Sequence, residues 1–275
     1  MTRLLIVAGK PSHAPGMHEF RAGAQLLAHC LAGVTGLDVE VAEDGMLPDV
    51  RFGDVDAIVV YADGGPSHPL HEENGWARLD SLAQQGIGLG FLHYAVEVPI
   101  GLGDRELSRW VGGFYEDHYS CNPIFDADIR PAPGHPISAG VAPFSAVDEW
   151  YFNIRFAPTG DRAAVRPVLV TTPSDEVRAG PYVWPAGPYA HVVASAGRPE
   201  SVLWALERSD GGRGFGFTGG HFHRNWENPN LRRAVLNALV WVTGLGVPDG
   251  GVQSSLEGYD IDGDLDAARQ GDDLG

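Results

Sequence analysis

The first 93 residues alternate between short apolar runs and longer segments of mixed polarity. Four runs have the length and composition of strands: residues 3–9, 37–43, 55–62 and 86–93. Apart from Asp56, the third is apolar, as expected for a parallel strand that is buried on both faces. Two intervening segments place apolar residues at helical spacing: residues 19–33 and 72–85. The order β-α-β-β-α-β predicts a flavodoxin-like α/β fold, with an open, mostly parallel sheet and helices on both faces.

The rest of the chain is less regular. Residues 94–147 are predicted to be irregular apart from one helix near residues 103–111. Apolar segments then predict extra antiparallel strands joined to the same sheet: residues 148–156, 167–172, 190–197 and 201–208. A last core strand is expected over 213–220, and a closing helix with one apolar stripe over 229–243. These elements form a single predicted domain over residues 1–252.

Charge and hydropathy exclude several classes of partner. The net charge of −17 argues against binding to nucleic acid or to anionic membranes. Residues 253–275 hold seven acidic residues and one arginine, and we expect a disordered acidic tail there. No apolar run reaches the ~18 residues of a membrane span, and the N-terminal run is too short for a signal peptide. The sequence therefore predicts a cytoplasmic protein, and it is compatible with a homo-oligomer.

Polar side chains follow the strands that should end at one edge of the sheet, where ligands of open α/β folds bind. Seven of the eleven histidines fall there: His13 and His18, His68 and His71, His93, His221 and His223. Tyr94, Asn225 and Trp226 accompany them. Structural alternatives stay open: His18 can start a helix, His68 and His71 can be solvated loop residues, and His93 can be a hydrogen-bonded core histidine. Tyr94 and Trp226 can serve packing only. The concentration at one edge nevertheless predicts a polar active site.

Other motifs point away from several familiar chemistries. The glycine-rich stretches lack the GxGxxG spacing, and neither a GxSxG elbow nor a P-loop lysine motif occurs. Cys30 lies in an apolar helical pattern and Cys121 in a turn-like stretch. No CxxC pair is present, so neither a disulfide nor a cysteine zinc site is expected.

Four stretches carry a family resemblance: GFLHYAVEV, GHPISAGV, VDEWYFNIRF and GRGFGFTGGHFHRNW, in that order. Together they resemble the ThuA-like family, named for trehalose utilisation, over most of residues 1–252. The resemblance implies a class I glutamine amidotransferase-like fold. Such an amidotransferase needs a thiolate on a G-x-C-x-G elbow after a strand. The matching stretch here, residues 90–94, has Leu92 at the central position instead of a cysteine, and Tyr94 in place of the second glycine. Glutamine hydrolysis is therefore not expected.

The resemblance also implies site residues. His93 matches the strand-end histidine, residues 148–151 the acidic–aromatic motif, and His221 the terminal Gly-His. We predict His93, Glu149 and His221 as catalytic. Predicted substrate-binding residues are His13, His18, Tyr94, Glu116, Asn122, Asp148, Trp150, Tyr151, Arg155, His223, Asn225 and Trp226. Glu149 has a structural alternative, an ion pair with Arg155, since equal parity along one strand would put both on one face.

These residues favour an enzyme that acts on a disaccharide or an oxidised (keto) sugar. A histidine pair with a carboxylate can abstract a proton beside a carbonyl, leading to isomerisation or elimination, and hydrolysis is a neighbouring possibility. His93, His221 and His223 are candidate ligands for Zn²⁺ or Mn²⁺, although a metal-free site is equally consistent with the pattern. The alternative is a non-catalytic sugar-binding or regulatory module. The body's negative charge makes a neutral substrate the better expectation.

Overall fold

The structure is a computed structural model that describes residues 1–51, 53–157 and 165–266. Within these ranges the strands are β1 (Thr2–Ala8), β2 (Leu37–Ala42), β3 (Ala57–Tyr61), β4 (Gly88–Leu92), β5 (Gly113–Phe114), β6 (Ile124–Pro131), β7 (Phe144–Glu149), β8 (Arg155–Phe156), β9 (Val165–Thr171), β10 (Glu200–Glu207) and β11 (Arg213–Phe217). The helices are α1 (Phe20–Leu31), α2 (Gly75–Ala83), α3 (Ser108–Trp110), α4 (Asp175–Arg178), α5 (Ala190–Val193) and α6 (Pro229–Val242).

The main sheet has the order β2-β1-β3-β4-β11-β10-β9-β6-β7. Its first five strands are parallel, and they follow the flavodoxin-like order with β11 as the fifth strand. The remaining strands extend the sheet with antiparallel pairs. Strands β5 and β8 form a separate two-stranded ribbon. The predicted fold class, an open and mostly parallel sheet with extra antiparallel strands, is confirmed.

Helices cover both faces of the parallel strands, which explains their apolar sequences. On β1, Leu4 and Ile6 pack into a core that includes residues of α1 and α6. Leu5 and Val7 face the opposite core, to which α2 contributes. Because both faces are dry, all five residues of β3 and of β4 are buried. The carboxyl ends of β1, β3, β4 and β11 therefore meet at one edge with their loops.

Three predictions about the second half are wrong. The single strand expected over 148–156 is interrupted, because β7 ends at Glu149 and only Arg155–Phe156 form a strand after it. Residues 94–147 are not irregular, because they contain β6 and most of β7, which pair with each other. The alternation of exposed aspartates with Ala127 and Ile129 in β6 is a strand pattern. Residues 190–197 do not form a strand: α5 begins at Ala190 and a turn follows it. A short apolar run such as HVV does not distinguish strand from helix by itself.

Part of the predicted acidic tail lies against the body. The Arg21 guanidinium donates to the backbone carbonyl of Asp264 at 2.5 Å, and the Tyr259 ring packs on His29. Residues 267–275 lie outside the described residues, and the division at residue 252 stays a prediction. Among the helices that the structure describes, none is both long and apolar enough to cross a bilayer.

Candidate active site: a histidine–glutamate group

Four side chains from distant parts of the chain meet at the carboxyl edge of the sheet: His18, His93, Glu149 and His221. We call them the histidine–glutamate group. His18 Nε2 lies 2.9 Å from His221 Nδ1 and 3.1 Å from His93 Nε2. The Glu149 Oε2 atom lies 2.8 Å from His221 Nδ1 and 3.6 Å from His93 Nε2. All four residues are buried, so three imidazoles and one carboxylate converge on one dry point.

His93 stands directly after β4, one residue past the elbow position at which the sequence lacks a cysteine. Its φ of 52° lies in the left-handed region, which few non-glycine residues adopt and which is common at functional sites. The Nδ1 atom is 2.9 Å from the carbonyl of Thr218, an acceptor, so Nδ1 donates and Nε2 keeps a lone pair toward the group. Burial, and the nearby His18, hold the pKa of His93 well below its usual value. This imidazole is therefore neutral.

His18 comes from the loop between β1 and α1, and its φ is also 52°. Its Nδ1 atom lies 3.3 Å from Asp63 Oδ1, at the end of β3, and its Nε2 atom points into the group. Burial lowers the pKa of His18, but the hydrogen bonds and charges of Asp63 and Glu149 outweigh burial and raise it. A carboxylate behind a ligating imidazole is the usual outer partner in metal sites, where it orients the ring.

Glu149 ends β7, and Asn122 fixes its orientation. The Asn122 amide donates to Glu149 Oε1 at 2.8 Å, which leaves Oε2 for the histidines. Burial raises the pKa of Glu149, but hydrogen bonds from His18 and His221 outweigh it and lower the pKa to about 2. The carboxylate is therefore charged at neutral pH. The alternative ion pair with Arg155 does not form, because the Arg155 guanidinium binds Glu116 instead.

His221 is held by a buried aspartate that binds its loop. Asp148 accepts the backbone N–H groups of Gly220 at 2.7 Å, His221 at 3.1 Å and Phe222 at 3.2 Å. It also accepts the N–H of Glu149 at 3.0 Å. Gly220 has a φ of 105°, which an L side chain rarely adopts. Asp148 thus holds two members of the group in register, and it is fully buried rather than open to a ligand.

The arrangement has the chemistry of a divalent metal site. Its donor atoms lie within 4.8 Å of one another. Metal–ligand bonds of about 2.0–2.1 Å in a tetrahedral site place neighbouring donors roughly 3.3 Å apart. The N···N distances of 2.9 and 3.1 Å and the N···O distances of 2.8, 3.6 and 4.0 Å bracket that spacing. Three imidazole nitrogens and a carboxylate oxygen suit Zn²⁺ or Mn²⁺, and outer partners orient His18, His93 and Glu149.

Aromatic side chains surround the group. Tyr151 is buried, and its hydroxyl lies 3.5 Å from His93 Nε2. The partly exposed Tyr94 ring lies 5.8 Å from the His18 ring. His13 packs its ring 3.6 Å from that of His18, and 37% of its side chain is exposed. His13 and Tyr94 therefore separate the group from solvent, and we take their side as its approach.

Several predicted site residues lie elsewhere. The His223 ring points away from the group, and its Nε2 atom lies 2.9 Å from the carbonyl of Ile261. His18, not His223, is the third histidine of the group. Trp150 and Trp226 are buried core residues, which leaves them no open ring face for a sugar. Other members make structural contacts: Asn225 donates to the Val147 carbonyl, and Glu116 pairs with Arg155, whose guanidinium stacks on Tyr119.

The sequence analysis assigned no site role to four residues that the structure brings to this region: Asp63, Glu97, Thr218 and Trp184. Asp63 and Glu97 belong to strand-end loops already predicted to reach the edge, so their positions carried a signal. Thr218 acts through its backbone carbonyl, which no side-chain pattern reports. Trp184, 75% exposed, has its backbone N–H bonded to Asn122 Oδ1 at 3.2 Å, a tertiary contact with no sequence signature.

Fold and site together define a flavodoxin-like α/β protein with a buried histidine–glutamate group in place of a thiol nucleophile. The family model described as "Trehalose utilisation" matches residues 3–242, and the chain belongs to this ThuA family. No curated protein matches the chain significantly.

Solved structures of similar fold come from several bacteria. A ThuA-like protein of Parabacteroides merdae is 16% identical, with a TM-score of 0.58 over 95% of this chain and 98% of its own. A ThuA-like protein of Bacteroides uniformis is also 16% identical, with a TM-score of 0.59 over 88% and 91%. A protein of Salmonella typhimurium, described as cytoplasmic, is 11% identical, with a TM-score of 0.57 over 88% and 99%. At these identities the likeness shows the fold alone.

Proposed function

We propose that this protein is an enzyme that transforms a disaccharide or an oxidised (keto) sugar with a divalent cation, Zn²⁺ or Mn²⁺, held by the histidine–glutamate group. One observation carries the proposal: three imidazole nitrogens and one carboxylate oxygen converge in a buried site, backed by Asp63, Thr218 and Asn122. The family's link to trehalose utilisation supports a sugar as substrate. The Salmonella relative's description leads us to propose a cytoplasmic location too.

The chemistry follows from the donor set. A bound divalent cation supplies a Lewis acid that stabilises negative charge developing on a carbonyl oxygen. That charge arises when a proton leaves the carbon beside a sugar ketone, the first step of an isomerisation or an elimination. His18, His93, His221 and Glu149 would hold the cation, and their burial would strengthen each electrostatic contact to it. The partly exposed Tyr94 offers an aromatic face to the apolar C–H side of a sugar ring.

A thiol mechanism has no support in the described part of the chain. Cys30 and Cys121 are both buried and lie outside the group. Burial, with the charge of Glu200, raises the pKa of the Cys121 thiol far above its usual value. A thiol in this state is not a nucleophile, so amidotransferase chemistry is not proposed.

The test begins with the metal. We would purify the protein without a histidine tag or chelator and measure its metals by elemental analysis, alongside His93→Ala/His221→Ala. The matched control is His118→Ala, at a histidine with 74% of its side chain exposed. About one equivalent of zinc or manganese in the wild type and the control, and none in the double variant, is the result expected. No metal in any of the three proteins, even after incubation with Zn²⁺ or Mn²⁺, would overturn metal-assisted chemistry.

Activity is tested with trehalose, maltose and sucrose and with their singly oxidised ketone forms, and NMR follows the sugar. Conversion by the wild type, lost on removal of the metal and restored by its return, supports the enzyme. Sugar binding without conversion in this panel would instead support the non-catalytic module.

A further inference from the structure

We propose that Glu97 is a catalytic acid–base residue, which accepts and returns the sugar's proton beside the histidine–glutamate group. The inference rests on the proposed function, since it names the residue that would move the proton in that reaction. Glu97 follows the short helical turn His93–Val96 and belongs to neither the predicted site nor the four-residue group.

The backbone around Glu97 is fixed from two sides. Its carbonyl accepts the N–H of Gly65 at 2.9 Å, and its N–H donates to the carbonyl of Tyr94 at 2.9 Å. It also forms an isolated parallel bridge with Tyr115. The carboxylate is therefore presented by a rigid segment that starts at His93, as an acid–base residue requires for a defined geometry.

The carboxylate faces the same aromatic wall as the group. A Cβ atom built on Gly65 would lie 3.5 Å from both Glu97 Oε1 and the Tyr94 hydroxyl, so the two polar atoms border one small space. The Tyr94 ring in turn lies 5.8 Å from the ring of His18. Beyond it, the Tyr115 ring contacts the Tyr151 ring, which packs on His93. Glu97 thus lies next to Tyr94, on the side of the group that is taken above as its approach.

Its surroundings leave this carboxylate uncommitted. Among the described residues, Glu97 has no side-chain hydrogen bond and no ion pair, although it is partly buried. Burial raises its pKa to about 7, and the negative charges of Asp117 and Glu149 add to this effect. The phenols that face it are those of Tyr94, Tyr115 and Tyr151. A carboxyl group with a pKa near neutral suits proton transfer at neutral pH.

The group itself cannot supply this residue while it holds a cation. Its three imidazole nitrogens and Glu149 Oε2 all point inward, and metal binding occupies their lone pairs. Glu149 Oε1 is already bonded to Asn122. A separate base is therefore required. Glu97 lies on the tyrosine side, and within the described part of the chain its carboxylate has no partner.

The step balances without an oxidant or a reductant. Glu97 carboxylate takes the proton from the carbon beside the ketone, and the C–H electron pair forms a C=C bond while the carbonyl π pair moves onto oxygen. The carbonyl then re-forms as the C–O bond at the next carbon breaks. Glu97 carboxylic acid returns its proton to the leaving oxygen. In an isomerisation the same proton returns to carbon instead.

The experiment measures exchange of that proton in D₂O by ¹H NMR, with trehalose bearing one ring ketone as the probe. Wild type, Glu97→Gln and Asp117→Asn are loaded with the same metal, and bound metal is quantified. We expect Glu97→Gln to keep its metal and to slow exchange by about 100-fold or more. Asp117→Asn should keep the plateau rate but move the rise of rate with pH to lower pH, because it removes a negative charge near Glu97.

Each result decides the inference. Equal exchange by wild type and by metal-loaded Glu97→Gln would overturn the role of Glu97 and leave the proposed function standing. Loss of metal from Glu97→Gln would show a structural role and would also overturn it. If metal-loaded wild type neither exchanges nor converts the probe or any other ketone of the panel, the proposed function fails, and the assignment of Glu97 fails with it.

Discussion

Asn122 and Glu149 are joined by a hydrogen bond of 2.8 Å that decides which carboxylate oxygen faces the histidines. The bond holds Oε1, so Oε2 is left 2.8 Å from His221 Nδ1. The other side of Asn122 accepts the backbone N–H of Trp184 at 3.2 Å. One buried amide thereby links the proposed metal ligand to the loop that carries an exposed tryptophan.

Asn122→Ala is expected to weaken binding of Zn²⁺ or Mn²⁺ by about 10–100-fold, the usual loss when an outer partner of a ligand is removed. The reason is that Glu149 loses the contact that orients its carboxylate. Isothermal titration calorimetry on the metal-free proteins measures the change. Asn230→Ala is the control, since Asn230 bonds the backbone of Ala142 at a surface turn. Equal affinities in wild type and Asn122→Ala would contradict the orienting role.

Asp148→Asn should destabilise the fold and empty the site together. Asp148 accepts hydrogen bonds from four backbone N–H groups. In asparagine, the side-chain NH₂ group would face some of these N–H groups, and two donors cannot form a hydrogen bond. Breaking a buried charged network costs about 3–5 kcal/mol. Urea unfolding and metal analysis test both effects. The control is Asp126→Asn, at an exposed position of the adjacent strand β6. A stable Asp148→Asn protein with full metal content would refute this account of the loop.

Because His68 is buried and neutral, the folded protein should lose stability in mild acid. It is fully buried, with Nε2 on the Ala95 carbonyl and Nδ1 accepting the Leu70 N–H. Burial, with the nearby His71, lowers its pKa to about 3. Below about pH 6.5 this histidine is protonated in the unfolded chain but stays neutral in the folded protein. The free energy of unfolding is therefore highest above about pH 6.5 and falls as the pH is lowered toward 3. Between pH 7 and pH 4 this contributes about 3 kcal/mol.

Measuring the free energy of unfolding from pH 7 to pH 4 checks it, with His68→Gln as the variant and His118→Gln as its exposed control. We expect a shallower decline for His68→Gln. Parallel curves for His68→Gln and wild type would show that His68 does not cause the acid sensitivity.

The contribution of Glu97 to the free energy of unfolding should depend on pH in the opposite direction. Its pKa is raised in the fold to about 7, so its contribution is fully present below the pKa of the unfolded chain and is lost as pH rises through 7. Glu97→Gln escapes this loss. Relative to wild type, its free energy of unfolding should increase by about 2 kcal/mol between pH 5 and pH 8. Thermal unfolding at both pH values measures it, with the exposed Glu257→Gln as control. A constant difference would mean that Glu97 ionises freely.

Much of the fold could be predicted from the sequence, because the parallel strands are buried on both faces and are therefore recognisable as apolar runs. The site was harder. His93 and His221 were placed correctly at strand ends. The prediction of His221 and His223 as ligands of one metal requires both to lie on one side of a strand that continues past Gly220. Strand β11 instead ends at Phe217, and Gly220 turns the chain with a φ of 105°. Side-chain parity does not survive such a turn, and His223 faces Ile261.

A similar break in the strand explains why Glu149 does not form the alternative ion pair with Arg155. Strand β7 ends at that residue, and Asn153 has a φ of 55°, so its parity with Arg155 carries no information.

By itself, the sequence determined the order of the elements of the parallel half, the edge where polar side chains collect, and the absence of a cysteine at the elbow. These follow from local composition and from the general rule that parallel strands end together. Only the tertiary structure decided that His18 completes the group and that Asn122 and Asp63 stand behind its members. It also decided that the Glu97 carboxylate has no partner among the residues that the structure describes. Such contacts join residues as far apart as His18 and His221, and they depend on loop conformations at positive φ that composition does not encode.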